Sequence, residues 1–370
     1  MDIAETKPVR PGEEIDVERL RTFLGQNLGV SDGEIVVEQF PAGSSNLTYL
    51  IRLGHFEYVL RRPPFGNTVR SAHDMGREFN VLSKLSVVYA PAPKPLLFCE
   101  NESVIGSQLY IMERRHGLIV RGKFPGTFLP KPAESEREPN IANLGTIRTE
   151  SLKEVARSFI SNLADLHTLD YAAAGLETLG HSEGYNRRQV EGWSKRYFAA
   201  KTDEHPELET AIGWLNKNVP AEFGTSLIHN DYKFDNVMLD PDDLTRITAV
   251  LDWEMVTVGN PLMDLGTTLG YWMSADAGEE MLNMPFNPRV LMENISRHQL
   301  VDMYANAFGR ALPDMVFYYV FGTFKIAVIC QQIYARFMKG FTTDQRFAGF
   351  GTFVGRLGRI ASSAIEKQSI

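Results

Sequence analysis

Residues 226–240, SLIHNDYKFDNVMLD, place a histidine, two aspartates, a lysine and two asparagines within eight residues, between apolar stretches. Such a cluster is either a solvated hairpin turn or the lining of a site that handles a strongly charged group. Motifs this short recur by chance, so spacing has to decide between the two. Asp231 precedes Asn236 by five residues, and NVMLD and TAVLDWE read as a hairpin whose second strand ends at Asp252. A carboxylate, an amide five residues on and a second carboxylate beyond a hairpin are what phosphoryl transfer needs. One aspartate orients a hydroxyl and accepts its proton, while the amide and the other aspartate offer hard oxygen ligands to Mg²⁺ on nucleotide phosphates. Lys233 stands where it can reach a transferring phosphate and offset its charge.

Working outward, residues 34–62 read as three strands, EIVVEQF, LTYLIRL and FEYVLRR, rich in β-branched and aromatic residues and separated by PAGSSN and GH. An antiparallel meander is expected. Met75, Phe79, Leu82 and Leu85 share one helix face in VRSAHDMGREFNVLSKL, and KPLLFCE and SQLYIME add two strands around NESVIG. Five strands and one helix make a small lobe over residues 1–115. Residues 116–370 form a larger one. It begins with the Pro- and Gly-rich loop RGKFPGTFLPKPAESEREPN, followed by a helix in SLKEVARSFISNLADLH that Ser151 and Glu154 are placed to open as a capping box. From residue 261 the pattern is mainly helical, including MVFYYVFGTFKIAVICQQIYARF. The expected class is α+β in two lobes.

Composition narrows the function classes. The formal net charge is −8, with a pI near 5.6, which argues against general nucleic-acid binding. Hydrophobic residues make up 44% and charged residues 23%, ordinary for a globular chain. No apolar run approaches the roughly 20 residues that span a bilayer, and the N-terminal MDIAETKPVRPGEEID is polar and acidic rather than a signal peptide. The two cysteines, Cys99 and Cys330, sit in unrelated contexts, so a reduced, cytoplasmic protein without a disulfide framework is expected.

The first lobe supplies a basic residue on its third strand, Arg61 in YVLRR, and a glutamate seventeen residues on, Glu78 in GREFNVL. That spacing allows a strand-to-helix ion pair of the kind that steadies nucleotide phosphates in kinases. Several matches in the right order are harder to obtain by chance than one. The chain resembles the aminoglycoside phosphotransferase family, which shares the protein-kinase-like fold with choline kinases. Within it, the chain is similar to the kinase-like domain fused to some acyl-CoA dehydrogenases and to free-standing bacterial relatives. The likeness is carried by YVLRRPP, REFNVLSKL, YIMERRHG, LADLHTLDYAAAGLETLG, GYNRRQVEGWSKRY, HNDYKFDNVMLD and LDWEMVTVGNPLMDLG, from about residue 34 to 275.

The resemblance implies a protein-kinase-like fold, with a five-stranded antiparallel sheet and one helix in the small lobe and a mainly helical large lobe. It implies ATP and Mg²⁺ as cofactors and a small-molecule hydroxyl as acceptor. Asp231 would be the catalytic base, Asn236 and Asp252 metal ligands, and Arg61 a phosphate contact steadied by Glu78. Met112 would lie beside the adenine, with the backbone of Glu113 and Arg115 on the base edge. Asp264 would brace the catalytic loop, and backbone N–H groups of Ser44, Ser45 and Asn46 would cover the phosphates. The chain departs from the family in places. No G-x-G-x-x-G loop is present, only Gly43. Arg61, or its neighbour Arg62 on the opposite strand face, replaces the usual lysine. Residue 230 is Asn where Gly is commoner, and DFG becomes DWE, so Glu254 is an extra carboxylate near metal or substrate.

Several residues have plainer readings. His229 is expected to bond nearby backbone and His167 to pack at a helix end. Trp193, Trp214 and Trp272 could box a quaternary ammonium, but core packing is their commoner fate. Arg187, Arg188, Lys195 and Arg196 lean toward an anionic acceptor and fit a solvated helix face equally well. Aminoglycosides, choline-like alcohols, sugars and hydroxyacyl-CoAs all remain compatible acceptors. A nucleotide-binding pseudokinase is the alternative from another class, and retention of Asp231, Asn236 and Asp252 together argues against it.

Overall fold

Strands rich in β-branched and aromatic residues can bury one face and pair along both edges. In the computed structural model, which describes residues 5–30, 33–41, 46–64, 74–122, 141–342 and 344–370, and only the backbone at 141–149 and 276, the expected meander is present. β1 (Ile35–Gln39), β2 (Leu47–Leu53) and β3 (Phe56–Arg62) pair antiparallel, with Val37 opposite Ile51 and Leu50 opposite Val59. β4 (Pro95–Cys99) and β5 (Leu109–Glu113) complete a five-stranded sheet in the order β1-β2-β3-β5-β4. The side chain of Asp74 caps α2 (Met75–Val88), which buries Met75, Leu82 and Leu85, while Phe79 stacks on Phe98 of β4 at 5.6 Å.

Two helices, not one, accompany this sheet. α1 (Val17–Leu28) is capped by Asp16, ends at Gly29 in a left-handed conformation (φ 69°), and buries Leu20 and Leu24 in the same core as Tyr49, Ile51 and Ile111. Contacts divide the chain into one unit of Met1–His116 with Ala249–Glu254 and a second of Gly117–Thr248 with Met255–Ile370. The excursion 249–254 is anchored in the first unit. Val250 donates its N–H to the Pro91 carbonyl (2.8 Å), and buried Trp253 meets Tyr89 edge-on at 5.9 Å.

The second unit begins with β6 (Leu118–Ile119) and α3 (Ile141–Thr168). Ser151 therefore lies inside α3 rather than at its start, and the expected capping box there does not exist. The S-x-x-E signature is local and does not register that the preceding IANLGTIRTE is itself helical. A capping box does open a later helix, where Ser296 and Gln299 bond each other's backbone N–H. α4 (Tyr185–Ala200) and α5 (Pro206–Lys217) follow. β7 (Ser226–Ile228) and β8 (Val237–Leu239) flank the opening stretch, and β9 (Ile247–Val250) follows β8 in a sheet ordered β6-β8-β9. β10 (Thr257–Gly259) pairs antiparallel with β7 and leads into α6 (Pro261–Tyr271), capped by the Asn260 side chain.

The remaining helices are α7 (Glu279–Leu282), α8 (Arg289–Asn294), α9 (Arg297–Phe308), α10 (Val316–Met338) and α11 (Phe350–Lys367). Contrary to the reading that no apolar run nears membrane length, the 23-residue α10 is long and apolar enough to cross a bilayer, and its apolar window is 83% buried inside the protein. Its interior position rests on glycine. A side chain at Gly266 of α6 would overlap the Tyr318 carbonyl of α10, one at Gly322 would overlap the Gly266 carbonyl, and one at Gly270 would stand 2.9 Å from the Gly322 carbonyl carbon. The two backbones touch.

Candidate active site

The polar stretch between β7 and β8 is a loop held from below. Asp264, fully buried on α6, accepts the backbone N–H of His229 (2.6 Å) and of Asn230 (2.7 Å) on its two oxygens. His167 Nε2 lies 3.1 Å from the same carboxylate, and His167 Nδ1 lies 2.7 Å from the Tyr304 hydroxyl. Burial pushes the Asp264 carboxyl up, but the hydrogen bond from His167, with the electrostatics of His167, His229 and Lys325, holds it below its ordinary value. His167 thus does more than pack: it completes the acceptor's bonding.

Asn230 adopts φ 70°, a left-handed conformation that glycine takes freely and asparagine tolerates. This explains why Asn can stand where Gly is the commoner residue. The turn it makes presents Asp231, whose carboxylate gathers three donors. Tyr271 at the end of α6 donates its hydroxyl to Oδ1 (2.6 Å), Asn236 donates its amide to Oδ2 (3.0 Å) and to the Asp231 carbonyl (2.9 Å), and Lys233 donates to Oδ2. Lys233 Nζ also stands 5.1 Å from the Tyr271 ring centre. Burial and the neighbouring Asp231 charge raise the Tyr271 hydroxyl well above its ordinary range, so it stays a proton donor. With its nitrogen engaged on Asp231, Asn236 has its carbonyl oxygen as the atom to offer a cation.

In the first unit, Arg61 and not Arg62 meets Glu78. Its Nη1 donates to Glu78 Oε1 (2.5 Å) and its Nη2 to Asp252 Oδ1 (2.9 Å), while Arg62 bonds the Ile105 carbonyl (2.9 Å) on the other sheet face. Burial pushes Glu78 upward despite Arg61, whereas Arg61 itself stays raised because Glu78, Tyr110 and Asp252 outweigh its desolvation. Arg61 Nε is buried without an acceptor, a donor suited to an anionic oxygen. Asp252 has φ 65°, a strained conformation of the kind that clusters at functional sites. Two residues on, Glu254 accepts the Asn46 amide (2.9 Å), and its carbonyl accepts Arg77 Nη1 (3.1 Å).

The residues expected at a base edge are on or beside β5. Met112 is buried, and the Glu113 N–H bonds the Lys94 carbonyl (2.9 Å), so that N–H is not available to a base edge. Arg115 binds the Ala90 carbonyl (3.1 Å) and pairs with Glu113. Ser44 and Ser45 lie outside the described residues. The three tryptophans do not form a box. Trp193 lies under Arg196 (4.4 Å), Trp214 meets Phe317, and Trp272 packs on Phe159 and Phe234. Arg187, Arg188 and Lys195 are exposed on α4. Reading the sequence missed Tyr271, Arg77 and Lys325 of α10. Only Lys325, a charged residue in the middle of a mainly apolar 23-residue helix, gave a signal.

Residues 36–287 match the family described as the phosphotransferase enzyme family. The rat acyl-CoA dehydrogenase family member 11 is 33% identical over 354 residues, which cover 92% of this chain and 42% of that protein, so the chain spans under half the length of this curated relative. A solved Ralstonia eutropha structure, described as a candidate aminoglycoside phosphotransferase, is 28% identical with a TM-score of 0.76, covering 96% of this chain and 99% of that one. A thermostable mutant of aminoglycoside phosphotransferase APH(4)-Ia, solved with AMP-PNP and hygromycin B, shares the fold at 16% identity, TM-score 0.56, covering 93% of this chain and 98% of that one. The protein-kinase-like fold and the match over most of the sequence lead to one conclusion: this chain belongs to the phosphotransferase enzyme family.

Proposed function

We propose that the chain transfers the γ-phosphate of ATP to a hydroxyl of a small molecule in a Mg²⁺-dependent reaction. The observation that carries this reading is the Asp231 carboxylate, held by Tyr271, Lys233 and Asn236 on a strained turn. Asp231 orients the acceptor hydroxyl and takes its proton as the acceptor oxygen bonds to phosphorus and the bond to ADP breaks. Lys233 offsets charge on the transferring group, and Arg61, steadied by Glu78, contacts phosphate. Asp252 and Glu254 of the first unit and the Asn236 carbonyl of the second each offer a hard oxygen ligand. That suits Mg²⁺, which takes one or two carboxylates and completes its shell with phosphate and water. When bound, the cation neutralises charge on the phosphates. The fold relative holding AMP-PNP and hygromycin B supports a nucleotide and a hydroxyl acceptor, and the acyl-CoA dehydrogenase relatives make hydroxyacyl-CoAs an acceptor class to include.

The test is Mg²⁺-dependent ADP formation across aminoglycosides, choline and ethanolamine, sugars, and 3- and 4-hydroxyacyl-CoAs, with Asp231→Ala as control. Turnover with one acceptor class, abolished in the variant while nucleotide binding persists, is expected. Equal turnover in Asp231→Ala would remove the base from the scheme. ATP binding without turnover on any acceptor would favour a pseudokinase.

A further inference from the structure

Lys325, at the middle of α10, is 1% exposed and makes no ion pair among the described residues. Its ammonium donates to the Asn230 carbonyl (2.6 Å) and to Asn230 Oδ1 (3.2 Å), and stands 5.6 Å from the Trp193 ring centre. A buried cation bonded only to neutral oxygens is costly to keep, so its contacts need an account. The Asn230 carbonyl belongs to the peptide unit that leads into Asp231. The other end of that unit, the Asp231 N–H, donates to His229 Nδ1 (3.2 Å). The rest of Asn230 is fastened too: its N–H to Asp264 and its amide nitrogen to the Met255 carbonyl (3.0 Å).

We propose that Lys325 is the positioning residue of this loop, holding the Asn230–Asp231 peptide plane in its left-handed turn and thereby aiming the Asp231 carboxylate. The proposal rests on the reading of Asp231 as the base. Asp264 and Lys325 reach the loop from α6 and α10, and the glycine contacts between those helices set where each arrives. The charged groups facing Lys325 are Asp231 and Lys233 of the loop, Asp264 of α6 and Arg196 of α4, and Tyr185 of α4 shares Asn230 Oδ1 (3.5 Å). α5 and α11, which also pack on α10, give it no hydrogen bond or ion pair among the described residues. Burial, against the opposing pull of Asp264 and Asp231, brings Lys325 down to about 8. It is therefore mostly charged well below that pH and mostly neutral well above it.

Two variants of the 370-residue chain test this. Lys325→Met removes the donor, and Lys325→Arg keeps a charge that does not titrate. Exchange of the Asp231 amide should speed up about tenfold or more in Lys325→Met, with α11 amides unchanged, and stay near wild type in Lys325→Arg. With a turned-over acceptor, kcat should fall about 100-fold in Lys325→Met with nucleotide KM little changed. Unchanged Asp231 exchange in Lys325→Met overturns the proposal. So does an Asp231 exchange about tenfold faster than wild type in a folded Lys325→Arg, an arm that survives even if the Met variant fails to fold. A wild-type chain without turnover would sink the kinase reading alone, because the exchange measurement still decides the positioning role.

Discussion

Replacing Asp264 by alanine should cost far more than an average substitution, and the structure supplies the arithmetic. The fully buried carboxylate accepts two backbone N–H groups, from His229 and Asn230, and faces His167 Nε2. Removing it leaves those buried donors without an acceptor at about 1–3 kcal/mol each. A total of about 2–6 kcal/mol for the two N–H groups is expected, a large part of the ~5–15 kcal/mol that holds a typical domain together. Asp264→Asn keeps the shape and one acceptor oxygen, so about half that loss is expected. Urea unfolding of the three proteins measures both differences from shifted midpoints at a common slope. The pH dependence follows from the lowered Asp264 value. A carboxyl whose folded value is depressed contributes its full stability above the unfolded value, near ~3.9, and loses it as pH falls through the folded one. The gap between wild type and Asp264→Ala should therefore be flat from pH 8 to about 5 and narrow on further acidification. A loss below about 1 kcal/mol, or a gap that widens in acid, would refute the reasoning.

Two further expectations concern the flanking architecture. Glu78→Ala leaves buried Arg61 with Asp252 as its remaining carboxylate partner and should destabilise by up to about 3–5 kcal/mol, whereas replacing Arg61 and Glu78 together by apolar residues should cost less than the two single losses summed. A double-mutant cycle in urea checks this, and additive losses would contradict it. Gly266→Ala forces a methyl into the Tyr318 carbonyl and should cost at least about 1–3 kcal/mol, while Gly213→Ala on the open face of α5 should stabilise by up to about 1 kcal/mol. Thermal unfolding of the pair should move Tm in opposite directions, and matching shifts would contradict the close α6–α10 contact.

What could be read in the sequence was local or ordered. The three strands of the meander, the Met75 helix face and the Asp231–Asn236 spacing each depend on neighbours a few residues apart, and each is found where its pattern puts it. The Arg61–Glu78 pair was legible from its seventeen-residue spacing, but the choice between Arg61 and Arg62 needed the sheet, because adjacent strand residues face opposite ways. Longer-range features left no trace in the pattern. Tyr271 reaches Asp231 across 40 residues and Lys325 reaches Asn230 across 95. No periodicity encodes such meetings. Helix α1 escaped notice although Asp16 and Gly29 bracket it, and α3 begins ten residues before its capping signature.

The excursion of residues 249–254 bears on any attempt to take the gene apart. The backbone passes between the two units at 116–117, 248–249 and 254–255, three times rather than once. A truncation after codon 116 would express a first unit without the Trp253 ring that meets Tyr89 and without the carboxylate that takes Arg61 Nη2. Excising the six residues from the remainder would sever the link between β9 and β10. No single stop codon or protease site yields two self-sufficient fragments. Grafting 249–254 onto the end of the first segment through a short linker, or permuting the chain, is the minimum surgery that keeps both cores supplied.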